Sequence, residues 1–88
     1  MEREYLLWAV VSPDVLNYGD KSGRLGVCLA RVNSMREYAV WNCVIGEDGQ
    51  IFNTGYGFYV QDDEPMSIAV EEYLRRVRQQ SQIRILGR

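Results

Sequence analysis

The chain has no histidine, one lysine, two prolines and two cysteines in 88 residues. Without histidine the commonest general acid or base is missing, and Ser12, Ser22, Ser34, Ser67 and Ser81 have no imidazole to activate them. Cys28 and Cys43 cannot by themselves furnish the usual four-ligand zinc site. Each sits inside an apolar run, where a reduced thiol behaves as a small buried hydrophobe, and a disulfide would require the right Cβ separation. The lone lysine lies in Gly19-Asp20-Lys21-Ser22-Gly23, which lacks the spacing of a phosphate-binding loop and reads as a polar turn. Long apolar runs are missing too. The longest, Tyr5 to Val11, has seven residues, against about 20 needed to span a bilayer, and no basic lead-in or cleavage site marks a signal peptide. These absences lead to an expectation of a cytoplasmic, non-enzymatic protein with no catalytic residues, no cofactor, no metal and no membrane partner.

What is present is ordinary globular material, 47% apolar and 25% charged, sufficient for a single domain over 1–88. Two alternating runs, Tyr38 to Ile45 and Ile51 to Val60, flank Asp48-Gly49, a pair suited to the positive φ of a hairpin turn. With those two as the loop, Ile45 opposes Phe52, Cys43 Thr54, Trp41 Tyr56 and Ala39 Phe58, giving one full core face. The other face is thinner, with Tyr38 opposite Tyr59 beside Gly55 and Gly57.

Pro65 opens a helix in which Met66, Val70, Tyr73, Leu74 and Val77 form an apolar stripe, with Glu71–Arg75 and Glu72–Arg76 paired on its outer surface. Asp62, Asp63 and Glu64 just before it read as caps. The alternation of Ile83 and Ile85 with Arg84 and Leu86 suggests a short final strand. Tyr5 to Val11 reads as a buried strand, Ser12-Pro13-Asp14 as a cap and short helical turn, and Asn17 to Gly23 as a loop. Residues 24–32 fit either a strand or a helix. The strand reading, favoured because Gly26, Val27 and Val32 weaken a helix, gives an α+β fold: an antiparallel four-strand meander packed by one C-terminal amphipathic helix. The helical reading gives the ferredoxin-like βαββαβ order.

For function, Gly55-Tyr56-Gly57-Phe58 resembles the core of the aromatic strand motif of RNA-recognition domains. The resemblance covers four positions and departs where Thr54 replaces a basic residue and Gln61 the final aromatic. It implies single-stranded RNA or DNA bound by Tyr56 and Phe58, extended by Trp8 or Tyr5, with Arg75 and Arg78 in a basic patch that also draws on Arg76, Arg84 and Arg88. A net charge of −2 speaks against broad phosphate contact. The leading expectation is therefore a protein-binding module whose partner is another protein or a second copy of itself. Its candidate contacts are Tyr38, Tyr59 and Tyr18, because Tyr, Trp and Arg are enriched in binding hot spots. Small inhibitors and adaptors of phage and other mobile elements, anti-CRISPR proteins among them, share this compositional profile.

Overall fold

Each alternating stretch becomes a strand in the computed structural model, which describes residues 2–86, with side chains as far as Ser81. Strands β1 (Arg3–Tyr18), β2 (Lys21–Val32), β3 (Glu37–Gly46) and β4 (Ile51–Gln61) form one antiparallel sheet in the order β1-β2-β3-β4, followed by helix α1 (Met66–Leu86). This is the α+β meander, and residues 24–32 are strand. The helix lies across one face of the sheet. Beneath it Val11, Val27, Leu29, Val40 and Val60 pack against Ala69 and Tyr73, with Leu6, Tyr38, Phe58, Val70 and Val77 around them. Long β-branched side chains on a pleated surface suit this packing, and Val27, Leu29 and Val40 are fully buried.

Several local expectations give way to the structure. Residues 13–23 hold neither a helical turn nor an extended loop, because β1 runs on to Tyr18 and turns through Gly19-Asp20 straight into β2. Gly19, at φ +67°, supplies the left-handed residue that this tight hairpin needs. The β1 strand is an edge, so Leu7, Trp8 and Val10 are exposed rather than buried. At its middle the pairing jumps from Val10↔Gly26 to Val15↔Arg24, and Val11 and Ser12 turn inward over the excursion. Residues 82–86 continue the helix instead of forming a strand. No glycine or proline interrupts 66–86, so nothing stops the helix there.

The β3–β4 turn is the most consequential difference. The Gly46 N–H donates to the Gln50 carbonyl and the Gly49 N–H to the Gly46 carbonyl, which makes Glu47-Asp48-Gly49 a three-residue loop with Gly49 left-handed at φ +85°. One extra loop residue shifts the register, so Ile45 pairs with Ile51 and Val44 with Phe52. Two bulges in β4, where Asn53 and Tyr56 take positive φ, shift it twice more, giving Asn42↔Gly55 and then Val40↔Phe58, Ala39↔Tyr59 and Tyr38↔Val60. Tyr38 and Tyr59 are therefore not opposite each other.

The helix is also rotated from its expected setting. Ala69 and Tyr73 are its buried residues, Leu74 faces water, and Arg76 points inward. Its guanidinium donates to Glu72 at 2.7 Å, to the Tyr56 carbonyl at 2.7 Å and to Asn42 Oδ1 at 3.3 Å, while Gln80 donates to the same Asn42 oxygen at 3.0 Å. Asn42 and the bulged Tyr56 carbonyl would otherwise lie under the helix without a donor, which is why the sheet draws a charged side chain inward. Asp62 does not cap the helix. It binds Arg31 at 3.0 Å and lies 3.8 Å from Arg36, tying the end of β4 to β2 and the β2–β3 connection.

Candidate functional site, the open sheet face

A sheet has two faces, and α1 covers one. The molecule measures 40 × 31 × 17 Å, the thickness of two layers. Strand alternation puts Arg3, Tyr5, Trp8 and Val10 of β1 on the other face, beside Cys28, Ala30 and Val32 of β2, Ala39, Trp41, Cys43 and Ile45 of β3, and Ile51 and Tyr59 of β4. An extra residue at Leu6 resets the alternation, so Arg3, Tyr5 and Trp8 share this side although their numbers do not differ by twos.

The floor of this face is made of small residues, Cys28, Ala30, Ala39 and Cys43, and all are buried although no element lies over them. Their larger neighbours and the curl of the sheet shield them. The curl is evident in one hydrogen bond, Arg3 Nη1 to Thr54 Oγ1 at 3.2 Å, which joins the two edge strands. In a flat sheet those strands would be roughly 14 Å apart, too far for the two side chains to meet. The face is thus a trough, with one hollow of about 670 Å³ bordered by Arg3, Tyr5, Trp8, Asn33, Gln50 and Ile51. A second, of about 510 Å³, shares Arg3 and reaches Met35, Glu37, Trp41 and Tyr59.

Arg3 stands at the junction of the two hollows. Its guanidinium carbon lies 4.3 Å from the centre of the Trp41 ring, and Nη1 also reaches the Tyr5 hydroxyl at 3.3 Å. Trp41 Nε1 donates to the Tyr59 hydroxyl at 3.1 Å, and the two rings meet edge to face with centres 6.3 Å apart. Tyr59 attains this position by lying over Gly57, where a Cβ would collide with its phenol ring. The rim stays accessible, with Trp8 52%, Val10 49% and Tyr59 53% exposed.

The acids nearest Arg3 are otherwise engaged. Glu37 is buried and accepts from the Gln61 amide at 3.3 Å, and Glu2 accepts from the Ser34 hydroxyl. Cys28 and Cys43 are free thiols on the trough floor. A hydrogen bond from Cys28, together with burial, pushes the Cys43 thiol well above its ordinary range, so it is held as a neutral group. Among the described residues no cluster of three or more Cys, Asp or Glu side chains is arranged to hold a metal ion, and no helix is long and apolar enough to cross a membrane.

The residues singled out from sequence are dispersed. Tyr38 lies on the helix side, half-buried against the core, with Arg31 5.7 Å from its ring centre. Tyr18 sits at the β1–β2 hairpin tip, edge-on to Phe52 at 5.9 Å. Tyr59 alone of the three is on the open face. Of the other set, Tyr56 projects from its bulge at 84% exposure, while Phe58 packs beneath the helix, so the two form no common stacking platform. Arg75 binds Glu72 and Gln79 on the helix exterior, and Arg78 is exposed there; neither is on the open face. Arg84 and Arg88 lie outside the residues whose side chains are described. Sequence reasoning passed over Arg3, whose alternation with Tyr5 at the head of an apolar strand was the available signal. Compared with protein-family models, curated proteins and solved structures, the chain matches none.

Proposed function

We propose that this protein is a non-catalytic protein-binding module, of the inhibitor or adaptor kind, that takes its partner in the trough of the open sheet face. The observation that carries this reading is an aromatic sheet face with no layer over it, rimmed by half-exposed Trp8, Val10 and Tyr59. Aromatic side chains with one polar end are the residue type that interfaces favour. The sheet edges are poorer candidates. The β4 edge is broken by two left-handed bulges, and the β1 edge by a bulge at Leu6 and an excursion carrying Pro13, so neither offers a straight row of backbone donors and acceptors.

The test is capture of partners by the tagged protein, comparing wild type with Trp8→Ala and Tyr59→Ala. A partner held by wild type and lost, by more than about 1 kcal/mol of affinity, in both folded variants supports the reading. Equal capture by all three refutes it. Sedimentation of the same samples checks whether the partner is a second copy of the chain.

A second reading places single-stranded nucleic acid in the same trough, because Tyr5, Trp8 and Tyr59 surround a guanidinium. It predicts binding to mixed-sequence RNA that falls steeply with salt and loses about 1–3 kcal/mol on Trp8→Ala. Glu2 and Glu37 beside Arg3 disfavour a chain of phosphates, so the protein reading stands first.

A further inference from the structure

The charge pattern around Arg3 carries the reading above one step further, to the chemistry of the partner. Arg24, Arg31, Arg36, Arg75 and Arg76 each have a carboxylate within 4.0 Å. Arg3, half-buried at the centre of the trough, has none among the described residues. Its contacts are neutral: the Tyr5 and Thr54 hydroxyls, both on Nη1, and the face of Trp41. Those contacts hold the guanidinium plane in place while Nε and Nη2 donate to no described residue. An arginine with its plane fixed and two donors unspent is pre-organised for the parallel two-bond geometry that a carboxylate accepts.

The surroundings narrow the ligand. Tyr5, Trp8 and Ile51 make the adjoining hollow apolar, and its volume of about 670 Å³ accommodates several large side chains rather than a lone ion. Glu2 and Glu37 on the other side of Arg3 leave room for one negative charge and oppose a run of them. We infer that the trough binds a protein segment carrying a single aspartate or glutamate flanked by large apolar side chains, with the carboxylate paired to Arg3 and the apolar residues seated against Trp8 and Ile51. This rests on the open face being the docking surface.

The test is selection of a random twelve-residue peptide library on the intact protein, followed by affinity measurement on the recovered peptides. The expected result is enrichment of one acidic residue between apolar ones. Replacing that residue by its amide should weaken binding about tenfold or more, as should Arg3→Gln, while Arg3→Lys should recover only part of the loss. The peptide amide requires no change in the protein, so it decides the matter even where Arg3→Gln disturbs the fold. Recovered peptides that lack an acid, or that tolerate the amide, while still losing affinity to Trp8→Ala, would overturn the carboxylate inference and leave the docking surface standing. Peptides indifferent to Trp8→Ala and Tyr59→Ala, no enrichment at all, or a preference for single-stranded RNA over every peptide would overturn both.

Discussion

Glu72 offers the most direct quantitative test of how the helix is held. Its carboxylate binds Arg75 at 2.7 Å and Arg76 at 2.7 Å, and with its side chain 13% exposed its acidity is shifted from 4.5 to about 2, chiefly by the hydrogen bonds from Arg75 and, after the opposing cost of burial, from Arg76. Because the folded value lies below the unfolded one, the stabilisation is complete above about pH 4.5 and is lost as pH falls through about 2. Fully realised, such a shift is worth about 3 kcal/mol, and solvent screening of a helix-surface carboxylate reduces it to about 1–2 kcal/mol. Glu72→Gln keeps the shape and removes the charge. In urea titrations the variant should be about 1–2 kcal/mol less stable than wild type at pH 7, a midpoint shift of about 1 M, and the gap should close to a few tenths of a kcal/mol near pH 2. A gap that is absent at pH 7, or that persists unchanged at pH 2, would refute the assignment of this network as a stabilising clamp.

Three further outcomes follow from the packing. Gly23→Ala should destabilise by about 1–3 kcal/mol in thermal or urea unfolding, because its Cβ would lie 2.6 Å from the Ile45 carbonyl oxygen and 2.9 Å from its carbon, backbone atoms that cannot swing aside. Tyr56→Gly should be neutral or stabilising by up to about 1 kcal/mol, since the side chain is 84% exposed and the residue holds φ +56°, a conformation that costs L-residues about 1–2 kcal/mol; a clear loss of stability would show that the ring has a packing role. Cys28 and Cys43, at 0% and 3% exposure, should resist a thiol reagent in the native state and react fully in denaturant, and rapid native labelling of either would contradict the closed trough floor.

The fold was legible in sequence because period-two alternation and a proline-led helix are local signals, and Tyr38–Ile45, Ile51–Val60 and the helix after Pro65 fall where those signals put them. The facing of side chains was not, because it depends on counting residues between pairs. Asp48-Gly49 fits a two-residue or a three-residue loop equally well, and the choice reverses every facing assignment along β4. Asn53 is a natural left-handed residue, yet Tyr56 is not, and its bulge is sustained by Arg76 reaching across from a helix twenty residues later. The inward turn of Arg76 in place of Leu74 has the same origin: a helical wheel reads apolar residues, whereas the sheet beneath presented an amide and a carbonyl. The candidate site depended on both errors, since Tyr59 reaches the open face only through the shifted register, and Trp8 joins Arg3 there only through the bulge at Leu6.

The stepped register of β4 makes changes of length in this strand come in twos. Ile51 and Tyr59 look out on the same side, and Phe52, Phe58 and Val60 on the other, only because the two bulges each contribute one residue and together restore parity. Deleting one residue at a single bulge would turn Tyr59 under the helix and Phe58 and Val60 toward solvent, whereas deleting one at each would leave both ends facing as they do now. Variants of this chain that differ in length between residues 53 and 57 should therefore survive as pairs of deletions or insertions and be lost as single ones.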